Sequence, residues 1–172
     1  MSTFRHVRHV RHVRLGAVLG VLTVVLVPVV SAQAGPGCLP VTGFYQERPV
    51  TGPDCDSPIG LCIAATYQGG VRGAAEALAT SLVSTADTPT TSVQLFTSDT
   101  TITGSVAGRS GTLIIKNAGA FASAGDGSIV DLQTIVGGTG GLAGASGALR
   151  AQGTFTFPDG GRSDYTGTVC LP

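Results

Sequence analysis

Residues 134–155 read TIVGGTGGLAGASGALRAQGTF. A β-branched run through Ile135 and Val136 enters a cluster of glycines. Gly138, Gly140 and Ala143 fit G-x-G-x-x-A. Asp159 follows about 20 residues after the first glycine, where a dinucleotide-binding fold places its ribose-binding acid. That reading needs a helix straight after the glycines and a βαβ unit around them. Here Leu142-Ala143 gives way to Gly144-Ala145-Ser146-Gly147, which breaks such a helix. Asp159-Gly160 belongs to PDGGR, a hairpin turn between two strand-like runs. The stretch therefore reads as a crossing between two strands, its small residues packing against a rim. No nucleotide cofactor follows from it.

The flanking chain has the same character. Runs at 61–71, 92–97, 100–106, 111–117, 128–136, 149–157 and 163–171 are rich in Val, Ile, Thr and aromatic residues and are separated by turn signals. Residues 74–83 (AAEALATSLV) carry local helix formers, but their neighbours are strand-like, so strand is the expectation. About eight short strands at near-regular spacing predict an all-β, antiparallel sandwich or barrel.

The N-terminus differs. Arg5–Arg14 is the repeat RHVRHVRHVR, followed by an apolar run from Leu15 to Val30 and then Ser31-Ala32-Gln33-Ala34. This is the charged, apolar and cleavage-site order of a secretory signal peptide over 1–34, cut after Ala34. The run of 16 residues contains Pro28 and falls short of the roughly 20 that span a bilayer. Cleavage removes His6, His9 and His12, all the histidines in the chain, and leaves six basic residues against ten acids. A mildly acidic product without a basic cluster argues against nucleic acid as partner. The expected product is extracellular, with no membrane insertion.

Loss of histidine excludes the usual Ser-His-Asp and Cys-His sites and removes the commonest zinc ligand, so no metal site is expected. Cys38, Cys55, Cys62 and Cys170 remain, an even number that suggests two disulfides in an exported chain. Residues 35–60, dense in Pro, Gly and Cys, read as an irregular, disulfide-tied segment ahead of a domain over 61–172. Acid–base work falls to carboxylates, tyrosines, Lys116 or arginines. In SIVDLQTIV, Asp131 shares a strand face with Ile129, Gln133 and Ile135; in ALRAQGTF, Arg150 shares one with Ala148 and Gln152. Facing inward, Asp131 and Arg150 form a polar cluster in an apolar cavity; facing outward, they pair across strands in water. Charged residues are mostly exposed, so outward is the expectation for both. Glu76, Tyr67 and Tyr165 complete the candidate site residues.

The run Ile135-Val136-Gly137-Gly138-Thr139-Gly140-Gly141-Leu142 resembles a segment of plant dirigent proteins and of allene oxide cyclase and its bacterial barrel-like relatives. The closing Tyr165-Thr166-Gly167-Thr168-Val169-Cys170 and the Cys55-x-Ser57-Pro58-x-Gly60-x-Cys62 motif are similar to secreted actinobacterial barrels of unknown function. The resemblance implies an eight-stranded antiparallel β-barrel with a central cavity, in a superfamily that includes a cyclase, guides of radical coupling and cycloaddition catalysts. Barrel closure pairs the first strand with the last, which removes sheet edges. With the first strand beginning near Cys62, the expected bridges are Cys62–Cys170 and Cys38–Cys55; the rival set is Cys55–Cys62 with Cys38–Cys170. The expected function is a cofactor-free barrel binding a small, mainly apolar ligand. The alternatives are a cyclase, isomerase or coupling guide acting by cavity shape, and an envelope protein with a filled core.

Overall fold

The computed structural model describes residues 37–50, 52–88 and 92–172; the expected signal peptide, its cleavage site and the three histidines lie outside them. Eight strands follow in chain order: β1 (Gly37–Val50), β2 (Cys62–Gly69), β3 (Val71–Asp87), β4 (Ser92–Val106), β5 (Arg109–Ala124), β6 (Ser128–Gly140), β7 (Ser146–Thr156) and β8 (Gly160–Leu171). Each pairs antiparallel with the next, and β1 pairs antiparallel with β8, so the sheet closes into a barrel. The expected eight-stranded antiparallel barrel is the fold observed.

The expected boundary at residue 60 is wrong. Residues 37–50 form the first barrel strand, despite Pro40 and Pro49. The register explains how β1 tolerates them. Its ladder with β8 covers Gly37–Glu47, and its ladder with β2 covers Gly43–Val50. Both prolines fall outside the doubly paired overlap, where one side of the strand needs no N–H. The ambiguous run 74–83 is strand within β3, paired with β4 throughout and with β2 as far as Leu78. Local helix propensity is worth tenths of a kcal/mol per residue, and two ladders override it.

The disulfides are the rival set, Cys38–Cys170 and Cys55–Cys62. The expected pairing failed because the first strand is β1, not the strand of Cys62. Cys38 lies directly opposite Cys170 in the β1–β8 ladder. Cys62 lies opposite Val50, at the other end of β1. Cys55–Cys62 instead ties the connection between β1 and β2.

The opening stretch is a rim crossing, as expected. Gly140 ends β6 at a φ of 59°, and residues 141–144 turn into β7. Gly141 N–H donates to the Ser110 carbonyl (2.7 Å), which holds the turn against β5. The turn does more than connect. Leu142 is fully buried and packs with Val41, Val71, Val106, Leu149 and Val169, plugging this end of the barrel. Glycine at 138 is required by this packing, because a Cβ there would collide with the Leu142 and Thr112 carbonyl oxygens.

Two stability predictions follow from the seam and the plug. In the chain-entropy account, replacing Cys38 and Cys170 with serine opens a constraint over 132 residues and costs about 5 kcal/mol. Serine at Cys55 and Cys62, seven residues apart, costs about 2–3 kcal/mol; urea unfolding measures the order of the two. Gly138→Ala lowers stability by about 1–3 kcal/mol, because the collision is with backbone rather than with a side chain that can move. Thermal melts check it, and an unchanged midpoint contradicts the plug.

Candidate functional site

The barrel interior divides into two halves. The half nearest Leu142 is filled with aliphatic side chains. The half toward the β1–β2, β5–β6 and β7–β8 connections holds a cavity of about 80 Å³. Its mouth is aromatic and apolar. Phe121 packs against Phe96, Phe155 and Phe157 at ring-centroid distances of 6.0–6.4 Å, with Ile63 and Ile129 beside them. Small side chains on β3, Ala75, Ala77 and Ala79, leave the space unfilled.

Toward the filled half the lining becomes polar. Alternation along β1 turns Tyr45 and Glu47 inward, and alternation along β6 does the same for Asp131 and Gln133. Tyr67 comes from β2, Ser98 and Thr100 from β4, and Asn117 from β5. Tyr45 and Tyr67 stack at 4.7 Å, and Tyr67 rests on Tyr165 at 5.7 Å. Tyr67 donates its hydroxyl to Gln133 Oε1 (3.2 Å). Gln133 Nε2 (2.9 Å) and Asn117 Nδ2 (2.8 Å) both donate to Asp131 Oδ2. This relay fixes one carboxylate oxygen and leaves Asp131 Oδ1 buried without a partner. Glu47 Oε1, Thr100 Oγ1 and Asn117 Oδ1 are buried without partners in the same cavity.

The electrostatics follow from burial without compensation. No lysine or arginine lines the cavity among the described residues. Burial, aided by the charge of Asp131, raises the Glu47 carboxyl to about 7. Burial raises the Asp131 carboxyl too, against the two amide hydrogen bonds, which favour its charged form. Burial raises both tyrosine phenols first, with Glu47 and Asp131 next for Tyr45 and with Tyr45 and then Asp131 next for Tyr67, so both stay protonated and serve as donors.

The candidate residues from the sequence separate cleanly. Asp131 is buried, 7% exposed, and the expectation that it faces outward is corrected. Arg150 does face outward. The register places Leu132 opposite Arg150 and Asp131 opposite Ala151, so acid and arginine lie on opposite sides of the wall. Glu76 is exposed on β3. Tyr67 lines the cavity. Tyr165 belongs to the filled half, where its hydroxyl accepts from Val71 N–H (2.9 Å) and lies 3.1 Å from the Val71 carbonyl, tying β8 to β3. Sequence reasoning missed Tyr45, Glu47, Asn117 and Thr100. The signal for the first two was the alternation Val41, Tyr45, Glu47 in a segment whose prolines and cysteines suggested irregular structure.

The chain belongs to the family described as proteins of unknown function (DUF3224), whose pattern matches residues 46–168. No curated protein sequence matches it. Among solved structures it is similar to the pterocarpan synthase dirigent protein GePTS1, with 14% identity over 87% of this chain and 97% of that one, at a TM-score of 0.32.

The raised Glu47 carboxyl makes stability depend on pH. Between the ordinary 4.5 and about 7 the folded state binds more protons than the unfolded chain. Its contribution is therefore full at the acidic end and is lost as pH rises through about 7. The loss is on the order of 1–3 kcal/mol, and Asp131, raised in the same direction, adds to it. Urea unfolding across this range should show stability falling in the wild type and a flatter profile in Glu47→Gln. A wild-type profile that rises with pH over the same range contradicts the assignment.

Proposed function

We propose that the protein is a secreted, cofactor-free β-barrel that takes the end of a small, mainly apolar ligand into its open half. The carrying observation is the cavity itself, with an aromatic mouth, an alanine wall, and a floor where four buried oxygens lack partners. Buried polar atoms are nearly always hydrogen-bonded in folded proteins, so a cluster of orphans facing one space suggests a ligand that satisfies them. The volume restricts its shape. An engineered cavity of about 150 Å³ admits benzene. A space of about 80 Å³ is roughly half that, so the inserted part is a narrow chain end rather than a ring, with the rest among the phenylalanines. The two disulfides fit the oxidising compartment to which the signal peptide directs the chain.

A second reading, an isomerase or cyclase, draws on Glu47. A carboxyl near 7 beside a second acid suits general acid–base catalysis at neutral pH. The cavity geometry serves binding in either case, so binding is the primary reading.

The test is mass spectrometry of small molecules carried by the protein purified from its own culture medium. An apolar compound should accompany the wild type and be lost, about tenfold or more, from Ala79→Leu, which fills the wall with the fold preserved by circular dichroism. A wild type that carries nothing apolar and gives no heat with 1-octanol defeats the proposal.

A further inference from the structure

We propose that the cavity is an ammonium site, and that its ligand is a primary alkylamine whose charged head lies between Asp131, Glu47 and the Tyr45–Tyr67 stack while its chain runs out along the phenylalanines. The inference deepens the binding reading above and rests on it.

The unpartnered buried atoms that line the cavity are all oxygens: Asp131 Oδ1, Glu47 Oε1, Asn117 Oδ1 and Thr100 Oγ1. No side-chain nitrogen is orphaned in the same space among the described residues. The two amide nitrogens that point in are already spent on Asp131 Oδ2. Three of the unpartnered oxygens only accept when the acids are ionised; Thr100 Oγ1 and the Tyr45 hydroxyl can donate, and the Tyr67 hydroxyl is spent on Gln133, so unmet acceptors outnumber donors on the floor. A primary ammonium brings three N–H donors, an alcohol one, and a carboxylate none. Charge agrees with donor count. Two carboxyls face the space, and the positive charges nearest in sequence, Arg48 to Glu47 and Lys116 to Asp131, are exposed, Lys116 being paired with Asp99. Asp131 is more than nine-tenths buried, so bulk water gives its charge little compensation. The stacked tyrosine rings add a surface that attracts cations. Shape agrees as well, since an unbranched aminoalkyl end fits a space too small for benzene.

The groups facing the acids set the pH behaviour. On β1 and β2 these are the Tyr45 and Tyr67 phenols; on β6 and β5, Gln133 and Asn117; on β4, Ser98 and Thr100. Outside the wall near Glu47 lie Arg48, Asp159 and Arg162 in an open groove. An alkylammonium keeps its proton to about pH 10, as lysine does. Over the neutral range the titrating partner is therefore the acid pair. Binding the cation favours the ionised pair, so affinity should rise with pH through the range in which Glu47 ionises.

Titration calorimetry with octylammonium, 1-octanol and octanoate tests this on the wild-type protein. At about pH 8, octylammonium should bind about tenfold or more tighter than 1-octanol, and octanoate should bind weakest. At about pH 5.5 the octylammonium affinity should fall by about tenfold while 1-octanol stays constant. Glu47→Gln and Asp131→Asn should each remove most of the preference for the amine and leave 1-octanol binding. Binding of 1-octanol as tight as the amine at about pH 8, or tighter binding of octylammonium at about pH 5.5 than at about pH 8, overturns the ammonium assignment and leaves the apolar-ligand reading standing. Failure of all three to bind overturns both.

Discussion

Closure of the sheet through the β1–β8 ladder is the constraint on which everything else depends. Eleven register pairs join the two strands, from Gly37↔Leu171 to Glu47↔Gly161, and the Cys38–Cys170 bridge fixes one end. Once the sheet is closed, every alternating residue is committed to an inside or an outside. Asp131 cannot reach water by a small shift of its strand, because moving the register by one residue would expose Ile129, Gln133 and Ile135 with it. A polar residue inside is then held there by the whole barrel.

The interior uses this commitment in two ways. Near the β6–β7 turn it is filled, with Leu142 inserted as a plug and the Tyr165 hydroxyl bonded to β3 backbone. At the other end the alanines of β3 withhold the volume that would complete the core. Between the two halves lie the carboxyls of Glu47 and Asp131, with no cationic partner lining their space among the described residues. Burying acids without compensation costs stability, and hydrophobic replacements of similar size are often better tolerated. A barrel selected for stability alone would have filled this space as it filled the opposite end. The asymmetry between the halves is what makes the open one a site.

The sequence carried much of this, and the failures have specific causes. Gly137, Gly138, Gly140, Gly141 and Gly144 read as a strand crossing, and the structure agrees, because breaking a helix needs only local information. The strand of Asp131 was legible from its period of two, yet periodicity does not say which face of a barrel wall is interior when both faces hold aliphatic residues. Val130 and Leu132 on the outer face are as apolar as Ile129 and Ile135 on the inner. The register between β6 and β7, which separates Asp131 from Arg150, depends on turn geometry that no residue pattern displays. Residues 37–50 were misread because Pro40 and Pro49 are strong strand breakers in isolation. Only the stagger of β1 between β2 and β8 makes them harmless. That one misreading hid Tyr45 and Glu47 and also exchanged the disulfide partners.

The ammonium site requires an acid pair, Asp131 buried and Glu47 half-buried, that is uncompensated in the free protein. Carboxyl ¹³C NMR titration of Glu47 and Asp131 measures this directly. The pair should titrate with apparent values above the ordinary carboxylate range, its upper step at about 7. Both carboxyls titrating in the ordinary range, independently of each other, would contradict the account.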